Sequence, residues 1–480
     1  MELTQLTLSE ASELLHQRQI SPVELTRACL ERIEQLDSRL HSFITLTAIT
    51  ALQQARQAEA DIRNDKAGVL CGIPLAFKDI FETARVRTTA GSKIFSTHIP
   101  ERDCAVVEKL TSSGAVMLGK LNMHEIALGV TSENPHYGDC LNPWDENHIS
   151  GGSSGGSAVA LAASLCFGAL GTDTGGSIRI PSSLCGVVGL KPTRGRVSLR
   201  GVIPLSWSLD HVGPMARRVQ DVAFLYEAIA GYDPSDPFSV NAPATDVLAH
   251  LTEGVQGWRV ALARDDYFED IDIEVLEAVQ QAAINFEELG AHVFEVPFPG
   301  ANEAAQLNGL ITQSEAAAFH SDRLATQPED FGADVLKRLQ TGAAYTAFEN
   351  ILARGAQPVL RRQFERFFDN YDILLMPTTP IPAPLRGGDT VARARLLTKF
   401  TAPFNLTGMP ALSLPCGFSR DGMPVGLQII SRPWAEAEVL RAGQAYEQAT
   451  EWHLRQPALL PVDSKLSVKT TPVDAGEDRP

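Results

Sequence analysis

Between residues 150 and 179 the chain carries two tracts that sharply limit what it can fold into. The first reads Ser150-Gly151-Gly152-Ser153-Ser154-Gly155-Gly156-Ser157, and the second Gly171-Thr172-Asp173-Thr174-Gly175-Gly176-Ser177-Ile178-Arg179. Twelve glycines fall between positions 151 and 201. On composition alone a Gly/Ser tract is a flexible linker. A linker sits between polar, disordered flanks, whereas these tracts bracket an apolar, buried-looking helix, and Cys185 to Leu190 continues the apolar run. Backbone packed that deep must satisfy its own N–H groups, so glycines there imply tight turns that aim amides at a ligand.

Several ligands use such a cradle. A phosphate loop closes on Gly-Lys-Ser/Thr, and Gly156-Ser157-Ala158 has no lysine; neither tract contains Gly-x-Gly-x-x-Gly. The remaining reading is an oxyanion hole beside a nucleophilic serine. Gly151-x-Ser153-x-Gly155 and Gly152-x-Ser154-x-Gly156 both match a hydrolase elbow, but a tract made only of Gly and Ser matches it cheaply. No local motif singles out a partner among His211, His250, His292, His320 and His453. His124-Glu125-Ile126-Ala127-Leu128 stops one residue short of a zinc-protease motif, so no metal is expected. The candidate base is Lys78, which ends the run from Val69 to Phe77. It reads either as a surface pair with Asp79 or as a buried lysine, whose desolvation favours the neutral amine.

The rest of the sequence bounds the setting. With 480 residues the chain has room for about three domains or one large one. Its net charge of −17 repels a nucleic-acid backbone, and no basic run offsets it, so direct nucleic-acid binding is not expected. Seven scattered cysteines, none in a Cys-x-x-Cys pair, read as reduced intracellular thiols. Met-Glu-Leu-Thr-Gln shows no secretory signal, and Ala158 to Leu170 is too short for a membrane span of about 20 residues. A cytoplasmic protein is expected.

Capping boxes at Thr7-x-x-Glu10 and Ser21-Pro22-x-Glu24 predict two helices, and Ala48 to Ile62 predicts another. Strands are predicted within Val69 to Phe77, and at Ala115 to Leu118, Val187 to Leu190, Arg259 to Leu262, His292 to Val296, Ile373 to Met376, Ala411 to Leu414 and Val425 to Ile430. Helices are predicted at Val106 to Leu110, Val275 to Leu289 and around Ala435 to Ala449, and Phe331 to Phe368 reads as purely helical. The alternation argues for an α/β architecture with a sheet covered on both faces.

With Lys78 and both tracts in place, the sequence resembles the amidase signature family. The resemblance rests on Gly72-Ile73-Pro74-x-x-x-Lys78-Asp79, on the two tracts with Ser153 and Ser177 spaced as in the family, and on Gly186-Val187-Val188-Gly189-Leu190-Lys191-Pro192-Thr193. It extends to Pro415-Cys416-Gly417 and Pro424-Val425-Gly426-Leu427-Gln428. It implies a single α/β/α domain over residues 1–461 with a large twisted mixed sheet, followed by a disordered tail at 462–480. It also implies a catalytic triad of Lys78, Ser153 and Ser177, with Ser177 the nucleophile and Ser153, in a cis peptide linkage, relaying its proton to Lys78. The N–H groups of Thr174, Gly175, Gly176 and Ser177 would hold the oxyanion, with Ala127 and Gly129 beside the acyl pocket. Asp173 and Arg179 are expected to brace the loop as a pair, and no cofactor enters this chemistry.

Two members of that family differ in class. One is a stand-alone hydrolase of small amides; the other is the A subunit of the glutamyl-tRNA amidotransferase, which makes ammonia from glutamine with partner subunits. Where the latter has a tyrosine-rich helix, this chain reads Gly342-Ala343-Ala344-Tyr345-Thr346-Ala347-Phe348. The arginine that grips the glutamine carboxylate aligns with Gln357, and the aspartate that reads its amino group aligns with Thr398. The expectation is therefore a small-amide hydrolase. The glutamine-hydrolysing amidotransferase component is the alternative, and a catalytically dead binding module is a third reading. A homodimer is left open, and partner subunits belong only to the alternative. Leu128, Val130 and Phe348 hint at an apolar acyl pocket.

Overall fold

Eleven strands form one sheet in the computed structural model, which describes residues 2–243 and 246–459. In chain order they are β1 (Phe43–Leu46), β2 (Pro74–Lys78), β3 (Val116–Leu121), β4 (Gly168–Asp173), β5 (Val188–Lys191), β6 (His211–Ala216), β7 (Arg259–Ala263), β8 (His292–Val296), β9 (Ile373–Pro377), β10 (Ala411–Phe418) and β11 (Pro424–Ile430). Across the sheet they run β1-β3-β2-β4-β6-β5-β10-β11-β9-β7-β8. Pairing is parallel between β2 and its neighbours β3 and β4, and between β7 and its neighbours β8 and β9. All other neighbours are antiparallel, so the sheet is mixed.

Every residue of β2, β3, β4, β5, β6, β9 and β11 is buried. Strands buried on both faces lose the in–out alternation and read as apolar runs, which is why Ile373 to Met376 and Val425 to Ile430 stand out in the sequence. The N-terminal capping boxes form as expected, starting the helices Leu8–His16 and Pro22–Leu40. Among the described residues no helix is long and apolar enough to cross a membrane.

The structure departs from the sequence reading where glycine and proline obscure the pattern. β1, β4 and β6 lie where no strand is predicted. β4 and β6, which contain three glycines and a proline, would be weak strands alone; five paired positions between them and burial on both faces supply the missing stability. The run from Val69 becomes a strand only at Pro74, because Gly72, at φ 83°, turns the chain just before it. Phe331 to Phe368 is two main helices, Ala333–Ala344 and Ala347–Phe367, broken at Tyr345, after which Thr346 and Glu349 form a capping box. The tail expected at 462–480 lies outside the described residues.

The helix Gly155–Ala162, which follows the first Gly/Ser tract, is buried along its whole length. A Cβ on Gly156 would lie 2.4 Å from the Asn122 carbonyl oxygen and 2.6 Å from that of Ser42. Only glycine lets this helix start so close to the end of β3. Gly156→Ala is therefore expected to destabilise the fold by roughly 1–3 kcal/mol through overpacking against backbone that cannot rotate away. Urea denaturation of the two proteins measures this, and an unchanged midpoint would show that the helix can shift without cost.

Candidate active site

Three parallel strands deliver the site. Lys78 is the last residue of β2 and Asp173 the last of β4, so both stand at the carboxyl edge of the sheet, where α/β folds place their ligands. Ser153 sits in the turn before the helix Gly155–Ala162, and the Gly152–Ser153 peptide bond is cis. Its carbonyl accepts the His124 N–H at 3.1 Å, tying the turn to the segment after β3.

Lys78 is fully buried. Its Nζ lies 2.7 Å from Ser153 Oγ and 2.7 Å from Thr172 Oγ1. Burial pulls the amine down to about 7, although the Asp210 and Asp173 carboxylates act in the opposite direction. The surface-pair reading of Lys78 with Asp79 is thereby replaced. Asp79 turns away to accept from the Thr89 N–H at 2.8 Å and to face the equally buried Lys120 at 3.5 Å.

Ser177 is almost fully buried and lies on the wall of an open cavity of about 1100 Å³. Its carbonyl accepts the Ser154 N–H at 3.1 Å, which sets the two serine tracts side by side. Among the described residues Ser177 Oγ has no hydrogen-bond partner in the protein. The N–H groups of Thr174, Gly175 and Ser177 likewise donate to no protein acceptor there. The Gly176 N–H differs from the expectation: it donates to Asp173 Oδ1 at 2.8 Å, which leaves three of the four amides open to a ligand.

The loop that presents these amides is pinned from several sides. Asn308 Nδ2 donates to the Thr174 carbonyl at 3.0 Å, Thr401 Oγ1 to the Gly175 carbonyl at 2.6 Å, and Thr174 Oγ1 to Asp210 at 2.6 Å. Because a peptide unit is planar and trans, fixing the Thr174 carbonyl also fixes the Gly175 N–H on the opposite side. Gly176 is at φ 137°, and a Cβ there would lie 2.2 Å from Thr401 Oγ1. Asp210 is pushed up to about 6 by burial, partly offset by its bonds to Thr174, Ser206 and Leu205.

Beneath the loop the expected pair is present and complete. Arg179 Nε donates to Asp173 Oδ2 at 3.0 Å and Nη2 to Oδ1 at 2.9 Å. The other three N–H groups reach Gln428 Oε1, the Thr401 carbonyl and Asn405 Oδ1. Burial raises the Asp173 carboxyl, but Arg179, Lys191 and Asn405 together hold it below the usual carboxylate range.

Ala127, Leu128, Gly129 and Val130 line the cavity next to Ser177, as does Thr398. Phe348 does not: it is 70% exposed on the outer face of the helix Ala347–Phe367, because the break at Tyr345 turns that helix away. Gln357 also lies off the cavity, with its Nε2 bonded to the Leu406 carbonyl at 2.9 Å. His124 and Glu125 act as braces. His124 Nε2 lies 3.2 Å from Asp334 Oδ2, while Glu125 accepts from His136, Ser92 and the Gly332 N–H. Sequence reasoning missed Thr172, Asp210, Asn308, Thr401 and Asn405. Thr172 lies within the second tract, where nothing separates it from its neighbours; the other four are ordinary polar residues whose part depends on long-range packing that no local spacing marks.

The amidase family model matches residues 24–440. The chain is 41% identical over 486 residues to the A subunit of the glutamyl-tRNA(Gln) amidotransferase from Moorella thermoacetica, covering 96% of this chain and 99% of that one. Its structure resembles a chain from a vestigial protein complex that reveals the evolutionary origins of an s-triazine catabolic enzyme, with a TM-score of 0.88 and 34% identity over 92% of this chain and 98% of the other. It also resembles 6-aminohexanoate cyclic dimer hydrolase, with a TM-score of 0.87 and 28% identity over 95% and 99% of the two chains. The similarity to an amidotransferase component runs against the expectation of a chain closer to stand-alone amidases. The family model over residues 24–440 and these likenesses over nearly the whole chain show that the chain belongs to the amidase family.

Proposed function

We propose that the chain hydrolyses a small carboxamide through an acyl-enzyme on Ser177. The observation that carries this reading is the buried Lys78 amine, lowered to about 7 and 2.7 Å from Ser153 Oγ, beside a serine whose neighbouring amides are open. In the first step neutral Lys78 takes the Ser153 hydroxyl proton while Ser153 takes that of Ser177. Ser177 Oγ bonds to the substrate carbonyl carbon, and the carbonyl oxygen becomes an oxyanion held by the N–H groups of Thr174, Gly175 and Ser177. Collapse breaks the C–N bond, and the proton on Lys78 returns through Ser153 to the leaving amine. Water then attacks the ester, giving one proton to the same relay, which returns it to Ser177 as the carboxylic acid leaves and loses its remaining proton to solvent.

Two finer readings divide on what the cavity holds. The identity to an amidotransferase component over nearly the whole chain supports glutamine hydrolysis with partner proteins. Against it, Thr398 and Gln357 stand where the charged anchors for free glutamine are expected, which supports a hydrolase of a different amide. Ammonia release from glutamine by the purified chain, tested alone and with amidotransferase partner proteins, separates the two. Turnover that appears only with partners establishes the amidotransferase reading; hydrolysis of other amides by the chain alone establishes the hydrolase.

Ser177→Ala is expected to abolish both hydrolysis and covalent labelling by a fluorophosphonate, and retained labelling would refute the assignment of the nucleophile. Lys78→Ala should slow acylation by about 10²–10⁴-fold, the usual contribution of a positioned base. Near wild-type turnover would make Lys78 structural.

The pH dependence follows from the lowered Lys78 value. A base works when unprotonated, so kcat/KM should be low in weakly acidic solution, rise through an apparent value of about 7, and level off above it. A profile flat from pH ~5.5 to ~9 would contradict the role of the lysine.

A further inference from the structure

The cavity in front of Ser177 carries the opposite charge to the protein. The whole chain has 41 lysines and arginines against 58 aspartates and glutamates. The cavity wall has Lys337, Arg338, Arg395 and Lys399 against Asp270 and Asp389. Of these acids, Asp389 accepts the N–H groups of Val391 and Ala392 as the cap of the helix Thr390–Leu397, and its charge also acts on Lys337 and Arg338. Asp270 is exposed at the rim.

The cations also divide. Arg338 is structural, donating to the Thr390 carbonyl at 2.8 Å and facing Asp334 at 3.9 Å, and so holds the start of the same helix. Lys399 extends its ammonium over the Tyr267 and Phe400 rings at 5.0 and 5.3 Å from their centroids. Arg395 and Lys337 have no carboxylate within salt-bridge distance among the described residues. Arg395 is in the last turn of its helix, three residues before Thr398. The Thr398 methyl is 3.8 Å from the point where a Cβ on Gly175 would be, so that end of the helix abuts the loop of open amides. Residues three apart on a helix share a face about 4.5 Å along the axis, which sets Arg395 one turn from Thr398, the residue that abuts the loop.

Across the cavity stand uncharged groups, Asn302, Gln306, Thr312 and Gln313, from the helix Ala301–Phe319, while Leu128 and Val130 lie near Ser177. We propose that Arg395, assisted by Lys399 and Lys337, binds a carboxylate on the acyl part of the substrate, so that the amide cleaved is the monoamide of a short dicarboxylic acid without glutamine's α-amino group, for which Thr398 offers no carboxylate. A short apolar chain spans from Leu128 and Val130, and the carboxylate ends it at the cationic wall. This inference rests on Ser177 being the nucleophile, and it places the anion-binding arginine on a different helix from the aligned position Gln357.

The test compares glutaramate with its uncharged counterpart pentanamide, and separately asks whether glutarate protects Ser177 from a fluorophosphonate. Wild-type protein is expected to prefer glutaramate by about tenfold or more in kcat/KM, chiefly through KM, as a charge-assisted bond would confer. Arg395→Gln should reduce that ratio by about tenfold, and Arg395→Glu further. Glutarate should slow labelling of the wild type and lose this effect in Arg395→Gln. Equal or better use of pentanamide, or no protection by glutarate, overturns the anion site while labelling still upholds the nucleophile. Absence of labelling in the wild type instead overturns the acyl-enzyme reading. Should neither amide be turned over, glutarate protection decides the anion site alone.

Discussion

The structure around the reaction centre hangs on the buried Asp173–Arg179 pair. Both side chains are fully removed from water, and two desolvated charges stabilise a fold only when every donor and acceptor is met. Here all five guanidinium N–H groups are used, and they join four separate parts of the chain: the end of β4, the start of the helix Arg179–Cys185, Gln428 of β11 and the Thr401–Asn405 segment. Asp173 in turn takes the Gly176 and Ile178 N–H groups. The loop carrying Ser177 is therefore built around a carboxylate. The Gly176 amide is held by that carboxylate, while the amides of Thr174, Gly175 and Ser177, residues that line the cavity, have no protein acceptor among the described residues.

This arrangement also sets the chemistry of Lys78. Burial alone favours the neutral amine, but Asp173 and Asp210 favour the charged one. Asp173 is itself paired with Arg179, and burial lifts Asp210 to about 6. Burial outweighs both carboxylates, so the amine falls to about 7. Moving it from its ordinary value to about 7 corresponds to roughly 5 kcal/mol. Between those limits the unfolded chain binds a proton that the folded one does not, so this group's contribution to stability rises with pH over that range.

How much of this was legible in the sequence varies with the range of the interaction. Lys78, Ser153 and Ser177 could be picked out because each lies in a local pattern, two glycine-rich tracts and an apolar run ending in a lysine. The Asp173–Arg179 pair lies six residues apart within one such tract. Asn405 and Gln428 meet that pair from more than 220 positions away, across strand neighbours that only the sheet order establishes. β4 and β6 escaped notice because their glycines and proline oppose strand formation locally and only mutual pairing overrides them. Phe348 failed for the converse reason. The stretch Phe331 to Phe368 reads as purely helical, but the cap at Thr346 and Glu349 starts a new helix, on which the ring is exposed.

The machinery and the specificity of this enzyme belong to different structural levels. The proposed reacting groups stand at the end of β2, in the turn before the helix Gly155–Ala162 and on a loop gripped by a buried ion pair, so small changes there would leave unsatisfied charge. The cavity wall is different, because Arg395 projects from a helix that is held at its first residues by Arg338 and Asp389 and contacts the reaction loop through Thr398. Exposed positions on such a helix can change without exposing the core. A chain can therefore be 41% identical to an amidotransferase component while presenting a different substrate surface. On the proposal that Arg395 binds the carboxylate of the substrate, the charge on one short helix would select the amide that reaches Ser177.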